Sequence, residues 1–138
     1  MDAPTVGDTH TVERTFTSAD VEAFAEVTRD TQDRHTDPDD EGRRMVHGLL
    51  TGSLLTEIGG ELAVLARSMD FHFLRPVYTG QTVRCSWRNE RVEEREDGWD
   101  LTARVDVERL EGATREGEGG TDRVLEATVE GLVLRDDR

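Results

Sequence analysis

Apolar and polar residues alternate along most of this chain, and the period changes along it. In "HTVERTFT" (residues 10–17), Val12, Arg14 and Phe16 fall on one side and Thr11, Glu13 and Thr15 on the other, which predicts a first strand. Ser18 then reads as an N-cap, with Asp20 and Glu22 favourably placed near the positive end of a helix dipole. Val21, Phe24, Ala25 and Thr28 follow at i, i+3, i+4, i+7, so a short amphipathic helix is expected to end near Asp30. Residues 31–44 are polar, contain Pro38 and show no period, as in an irregular loop. "MVHGLLTGSLLTEIGGELAVLA" is apolar nearly all round and carries Thr51, Gly52 and Ser53 as small residues. It predicts a buried helix starting near His47 or Gly48 and stopping at the Gly59-Gly60 pair.

From there the period is two. A strand is expected over about 67–75, then a proline-containing turn ending at Gly80. A long strand follows with Val83, Cys85 and Trp87 on one face. Asp97-Gly98 marks a hairpin turn, and Leu101, Ala103, Val105 and Val107 alternate on the way back. "ATREGEGGTD" reads as an acidic glycine-rich loop and "RVLEATVEGLVLRD" as the last strand. No linker or repeat interrupts the 138 residues, so one domain, 1–138, is expected. One apolar helix followed by a long meander buries itself most completely if the sheet curls around it. The expected class is therefore α+β of the hot-dog kind, a long antiparallel sheet wrapped around a central helix. A flat sheet with a helix on one face fits the same order of elements.

Composition narrows the function classes. Asp and Glu number 31 against 17 basic residues, all of them arginine, for a net charge of −14. This acidic, lysine-free composition resembles that of proteins from salt-loving archaea. In molar salt the Debye length is about 3 Å, so the self-repulsion of such a surface is largely screened. The charge argues against nucleic acid and anionic membranes as partners. No apolar run approaches the ~18 residues a membrane span needs, and residues 1–12 do not resemble a signal peptide. A soluble, cytoplasmic protein is the expectation. The single cysteine, Cys85, excludes an internal disulfide and reads as a core residue.

The chemistry-bearing stretch is "TRDTQDRHTD" (28–37), where Asp30 and His35 lie just past the first helix. At that spacing an acid and an imidazole can share one water molecule. Either alone reads as surface charge, and their value comes from context. "FTSADVEAFAEVTRDTQDRHTDP", then "MVHGLLTGSLL", then "DFHFLRPVYTGQTV" together resemble the MaoC-like (R)-specific enoyl-CoA hydratases. The family signature is Asp, any residue, Asn, Pro, any residue, His after a short helix. A Val-His-Gly opens the central helix, and a strand with Phe, Pro-Val and Gly comes later. Asp30 and His35 match the acid and imidazole, His47-Gly48 the helix start, and Phe73, Pro76, Val77 and Gly80 the later pattern. The family's Asn and Pro are Gln32 and Asp33 here, and the loop from His35 to His47 is shorter than usual.

The resemblance implies a hydratase acting on trans-2-enoyl-CoA, with the thioester as substrate and no further cofactor. Asp30 is then the base, partly desolvated so that burial raises its pKa. His35 holds the same water. The Gly48 N–H, without an intrahelical partner, stabilises the thioester enolate, and glycine permits close approach. Thr56 matches a position where the family often has a hydroxyl. Hot-dog domains usually pair, so a homodimer is implied. His47 reads as structural, bonded to backbone near the loop, and His72 as a strand-face residue. His10, His35, His47 and His72 have no metal-ligand spacing, so no metal is expected. Arg43, Arg44 and Arg75 are candidates to meet coenzyme A phosphates. Two other readings fit the sequence: a hot-dog thioesterase using Glu57 or Glu61, and a non-catalytic acyl-thioester-binding subunit.

Overall fold

The segments of period two pair with one another, and the segments of helical period lie against them. The computed structural model describes residues 3–110 and 122–135. Within them run β1 (Thr9–Thr15), α1 (Ser18–Thr28), α2 (Asp33–Thr36), α3 (Gly48–Gly52), α4 (Leu54–Glu61), β2 (Leu65–Phe73), β3 (Thr82–Arg95), β4 (Gly98–Arg109) and β5 (Asp122–Leu134). Apart from Asp122, the expected glycine-rich loop lies outside the described residues. The strands form one antiparallel sheet in the order β1-β3-β4-β5-β2. This is the α+β arrangement that the order of elements implies.

Inward side chains of the three long strands, among them Val83, Cys85, Trp87, Leu101, Ala103, Val105, Val107, Leu125, Ala127 and Val129, form the core with Leu50, Leu54, Leu55 and Ile58 of the helical segment. Burying each large aliphatic side chain of this kind contributes about 1.5–3 kcal/mol. Trp87 lies under α4, where a side chain on Gly59 would already touch its ring at 3.7 Å. Its indole N–H donates to buried Asn89 at 2.8 Å. Burial also pushes the Cys85 thiol up to about 12, as expected of a packing residue.

Four local expectations are corrected. Thr17, not Ser18, caps α1. Its hydroxyl accepts from the Asp20 N–H, and the Asp20 carboxylate accepts from the Thr17 N–H. This reciprocal pair requires the acid three residues on, and such caps contribute about 1 kcal/mol. The central helix is not continuous. At Ser53 the chain tightens, its N–H donating to Leu50 O three residues back (3.1 Å) and its hydroxyl to the same carbonyl (2.6 Å). The helix also does not stop at Gly59-Gly60. It runs to Glu61, and Ala63 takes the left-handed conformation (φ 60°) that ends it.

The hairpin turn is the fourth correction. Arg95 pairs with Gly98, so the turn residues are Glu96 and Asp97, and Gly98 opens β4. A Cβ there would sit 2.0 Å from the Val133 carbonyl oxygen. Gly98 is thus required by the neighbouring strand, not by the turn.

Candidate active site

A cavity of about 620 Å³ opens where the end of α1, α2, the start of α3 and the segment after β2 meet. Its walls are largely apolar, with Phe24, Leu49, Phe73, Leu74, Val77 and Leu125 among them. Its polar groups include Asp30, Gln32, Arg34, His35, His47 and Thr51.

Local backbone geometry brings Asp30 here. Arg29 adopts the left-handed conformation (φ 66°) as its N–H caps Ala25 O at 2.7 Å. For a non-glycine residue this costs about 1–2 kcal/mol, and it turns the chain so that Asp30 faces α2. Gln32 then holds the carboxylate, its side-chain N–H donating to Asp30 Oδ1 at 2.9 Å and its backbone N–H at 3.4 Å. The glutamine that departs from the family signature thus supplies a hydrogen-bond donor to Asp30. The other oxygen, Oδ2, accepts no hydrogen bond among the described residues and lies 3.8 Å from His35 Nε2. That is too long for a direct hydrogen bond and suits one water molecule bonded to both.

His35 is buried on α2, and its Nδ1 lies 2.7 Å from the Met45 carbonyl. A carbonyl only accepts, so Nδ1 carries a proton and Nε2 is the atom turned toward Asp30. The Met45 N–H in turn donates to Arg34 O, and the Val46 N–H to Val77 O. The segment leading into α3 is thereby stitched to both α2 and the chain after β2.

The electrostatics differ from the sequence expectation. The side-chain hydrogen bond from Gln32 is the largest influence on Asp30 and holds its carboxyl below the usual range. Partial burial opposes this. The Gln32 backbone N–H and the neighbouring His35 and His47 rings reinforce it. Burial was expected to dominate and raise the value. It does not, because the side chain remains 38% exposed while accepting two hydrogen bonds.

His47 also belongs to this corner. Its ring stacks on His35 with centroids 3.7 Å apart and planes 15° apart, and Nε2 lies 3.0 Å from the Asp30 carbonyl. The expected backbone bond is present, and with it a stack that nothing in the sequence announces. Asp30, His35 and His47 offer ligand atoms within 4.8 Å of one another, although their sequence spacing matches no metal motif. Imidazole lone pairs lie in the ring plane. In two stacked, nearly parallel rings, a cation placed in one plane is displaced from the other. The arrangement suits a shared water better than a metal ion.

Gly48 lines the cavity at the start of α3, where its N–H has no intrahelical carbonyl to meet. The space its missing side chain leaves is taken by Phe73, whose ring would be 2.9 Å from a Cβ. One turn on, Gly52 receives Phe71 in the same way, also at 2.9 Å. Close approach is thus used by a stacked pair of phenylalanines rather than left wholly to a ligand. Thr56 is not brought to the cavity. It is exposed, and its hydroxyl donates to Ser53 O at 2.6 Å, because the break at Ser53 re-aims the following helix. Thr51, buried on α3, is the hydroxyl residue of the α3–α4 segment that lines the cavity. Its place three residues after Gly48, on the same helix face, is the signal that finds it. Glu57 and Glu61 are exposed on α4 and line no part of this cavity.

Residues 4–109 match the protein family described as MaoC like domain. A curated relative, the mitochondrial 3-hydroxyacyl-[acyl-carrier-protein] dehydratase of Arabidopsis thaliana, is 35% identical over 88 residues, covering 56% of this chain and 51% of its own. The chain thus spans about half the length of that relative. An (R)-hydratase from A. caviae involved in PHA biosynthesis superimposes with a TM-score of 0.78 at 22% identity, over 96% of this chain and 99% of that one. A conserved protein from Mycobacterium tuberculosis with a double hotdogfold gives 0.73 at 21% identity, over 95% of this chain and 40% of that one. At these identities the solved structures speak for the fold, which is the hot-dog fold.

Proposed function

Since this chain belongs to the MaoC-like domain family, we propose that it is a hydro-lyase converting trans-2-enoyl-CoA to (R)-3-hydroxyacyl-CoA, or running the reverse dehydration. The observation that carries this reading is the 3.8 Å gap between Asp30 Oδ2 and His35 Nε2 on the wall of a largely apolar cavity. In the forward direction the water oxygen bonds to the β-carbon while one of its protons passes to Asp30. The double-bond electrons move toward the thioester oxygen, where the Gly48 N–H is the donor. The enolate then collapses and takes up a proton at the α-carbon, delivered through the Asp30–His35 pair. The net change is one H and one OH added, with no redox step. A carboxyl held below its usual range is ionised at neutral pH and able to accept that proton.

A phosphate-bearing thioester needs an unpaired cation at the cavity, since the chain carries a net charge of −14. Arg43 pairs with Asp39 and Glu41, Arg44 with Glu22, and Arg75 with Asp122, so the arginines expected to meet phosphates are already engaged. Arg34 lines the cavity and has no ion-pair partner among the described residues. It is the cation we assign to the carrier.

The open side of the cavity exposes Leu49 (57%), Phe73 (53%) and Leu74 (46%), and it continues along edge strand β2 to Leu65 and Met69. A second copy laid along β2 pairs its free edge and covers this patch. A monomer by light scattering in molar KCl contradicts the pairing.

The activity is tested with crotonyl-CoA and with a phosphate-free crotonyl thioester, both in molar KCl. Hydration of both to the (R)-alcohol is expected, with Arg34→Gln raising KM for the CoA thioester alone. No turnover at any acyl length rejects the reading.

A further inference from the structure

His47 stands outside the pair that faces the water, yet it contacts both members, the Asp30 backbone and the His35 ring. It is only 3% exposed. Its Nε2 lies 3.0 Å from the Asp30 carbonyl, which only accepts, so Nε2 donates. Its ring packs face to face on His35 and receives the edge of Phe24, with centroids 5.0 Å apart and planes at 62°. Its own carbonyl accepts the N–H groups of Leu50 (3.0 Å) and Thr51 (3.1 Å), which starts α3 directly after it and so places the Gly48 N–H. Its other nitrogen, Nδ1, is buried and has no hydrogen-bond partner among the described residues.

That last fact separates packing from function. A buried polar atom without a partner weakens a fold, and a phenylalanine of similar shape fills the same space without one. Stability by itself does not call for histidine here. Geometry does, because a phenylalanine gives up the N–H that holds the Asp30 backbone, and a non-aromatic donor gives up the stack. A ring is oriented by what contacts its face and by what bonds its edge. Met45 O takes the edge of His35 at Nδ1, and His47 takes its face.

We propose that His47 is the positioning residue of the site, locking the Asp30 backbone through its N–H and the His35 ring plane through the stack. The separation of Oδ2 and Nε2 then depends on this side chain, while the backbone carbonyl of the same residue starts α3 and so places the Gly48 N–H. His47 touches neither water nor thioester in this scheme and acts through its neighbours. The proposal rests on the hydration reading above.

Two variants divide its contacts: His47→Phe keeps a stacking ring without the N–H, and His47→Gln keeps an N–H donor without the ring. Both are expected to lower kcat for crotonyl-CoA about tenfold to a hundredfold, the scale of small misplacements in a site, with KM within about twofold. The imidazole ¹⁵N signals of His35 give a readout that turnover does not affect. The wild type and His47→Phe should show one tautomer with the proton on Nδ1, whereas His47→Gln should show a mixture. The proposal is overturned if both variants keep kcat within about twofold of wild type, or if the His35 signals are the same in His47→Gln as in wild type. A wild-type chain inactive on every enoyl thioester sinks the hydration reading and leaves the nitrogen test in force.

Discussion

On the outward face of β3, β4 and β5, charge is met by opposite charge. In the corner between α1 and α3, it is met by neutral amide and carbonyl groups. Arg104 reaches Asp106 and Glu126 at 3.5 and 3.3 Å, and Arg123 reaches the same two acids at 3.7 and 2.8 Å. Arg67 and Arg95 likewise share Asp100 at 3.2 and 3.1 Å. Asp100, Asp106 and Glu126 each have two cations within reach, so a single loss is largely absorbed by the neighbour. Among the described residues no arginine pairs with Asp30. Gln32 holds one of its oxygens, the other faces a neutral-capable imidazole, and the surrounding rings are pinned by carbonyls. An arginine on Asp30 would also fix it, but would occupy the oxygen to which the proposed hydration assigns the proton. This acidic sequence thus carries two kinds of carboxylate, those that are shared and those that are held.

The largest difference between the two regions should appear on replacing the acid itself. Asp30→Asn keeps the size and the Gln32 contact but cannot take a proton, and a loss of about 10²–10⁴ in kcat is expected, the usual contribution of a general base. Near-full activity in steady-state assays would place Asp30 among the shared surface acids.

Gln32→Leu should act through pH. The Asp30 carboxyl is held below its usual range in the folded chain, so its contribution to stability is present above the unfolded value and lost as pH falls through the folded one. The base form follows the same direction. Removing the Gln32 side-chain donor lets the value rise, so the acid limb of kcat/KM moves to higher pH than in wild type. A limb that stays put or moves lower contradicts the role given to Gln32. On the outer face, Arg104→Gln is expected to change unfolding free energy by no more than about 1 kcal/mol, the range of exposed ion pairs, read by denaturant titration. A larger loss would mean that the outer lattice is held as tightly as the corner.

How far the sequence discloses this corner depends on the range of the forces involved. The alternation of Val83, Cys85 and Trp87 with their polar neighbours is a local pattern, and the strands follow it. The pairing of Asp30 with His35 is also local, since His35 lies in α2, which begins three residues after Asp30. What the sequence conceals depends on partners far along the chain. Gly98 looks like a turn residue until Val133 is seen behind it. Gly48 looks like room for a ligand until Phe73 fills the space, as Phe71 does at Gly52. Thr56 looks well spaced from Gly48 only if the helix is unbroken at Ser53, and Thr51 lines the cavity in its place. The direction of the Asp30 shift turned on one hydrogen bond from Gln32, a residue the family pattern marks as a departure.

A double-mutant cycle of Asp30→Asn, His35→Ala and the two combined, read as kcat/KM for crotonyl-CoA in molar KCl, tests most directly whether Asp30 and His35 act on one water. Groups that work as a unit are not additive. The double variant should lose little more than the worse single variant. Losses that multiply would show two independent residues and would contradict the shared water.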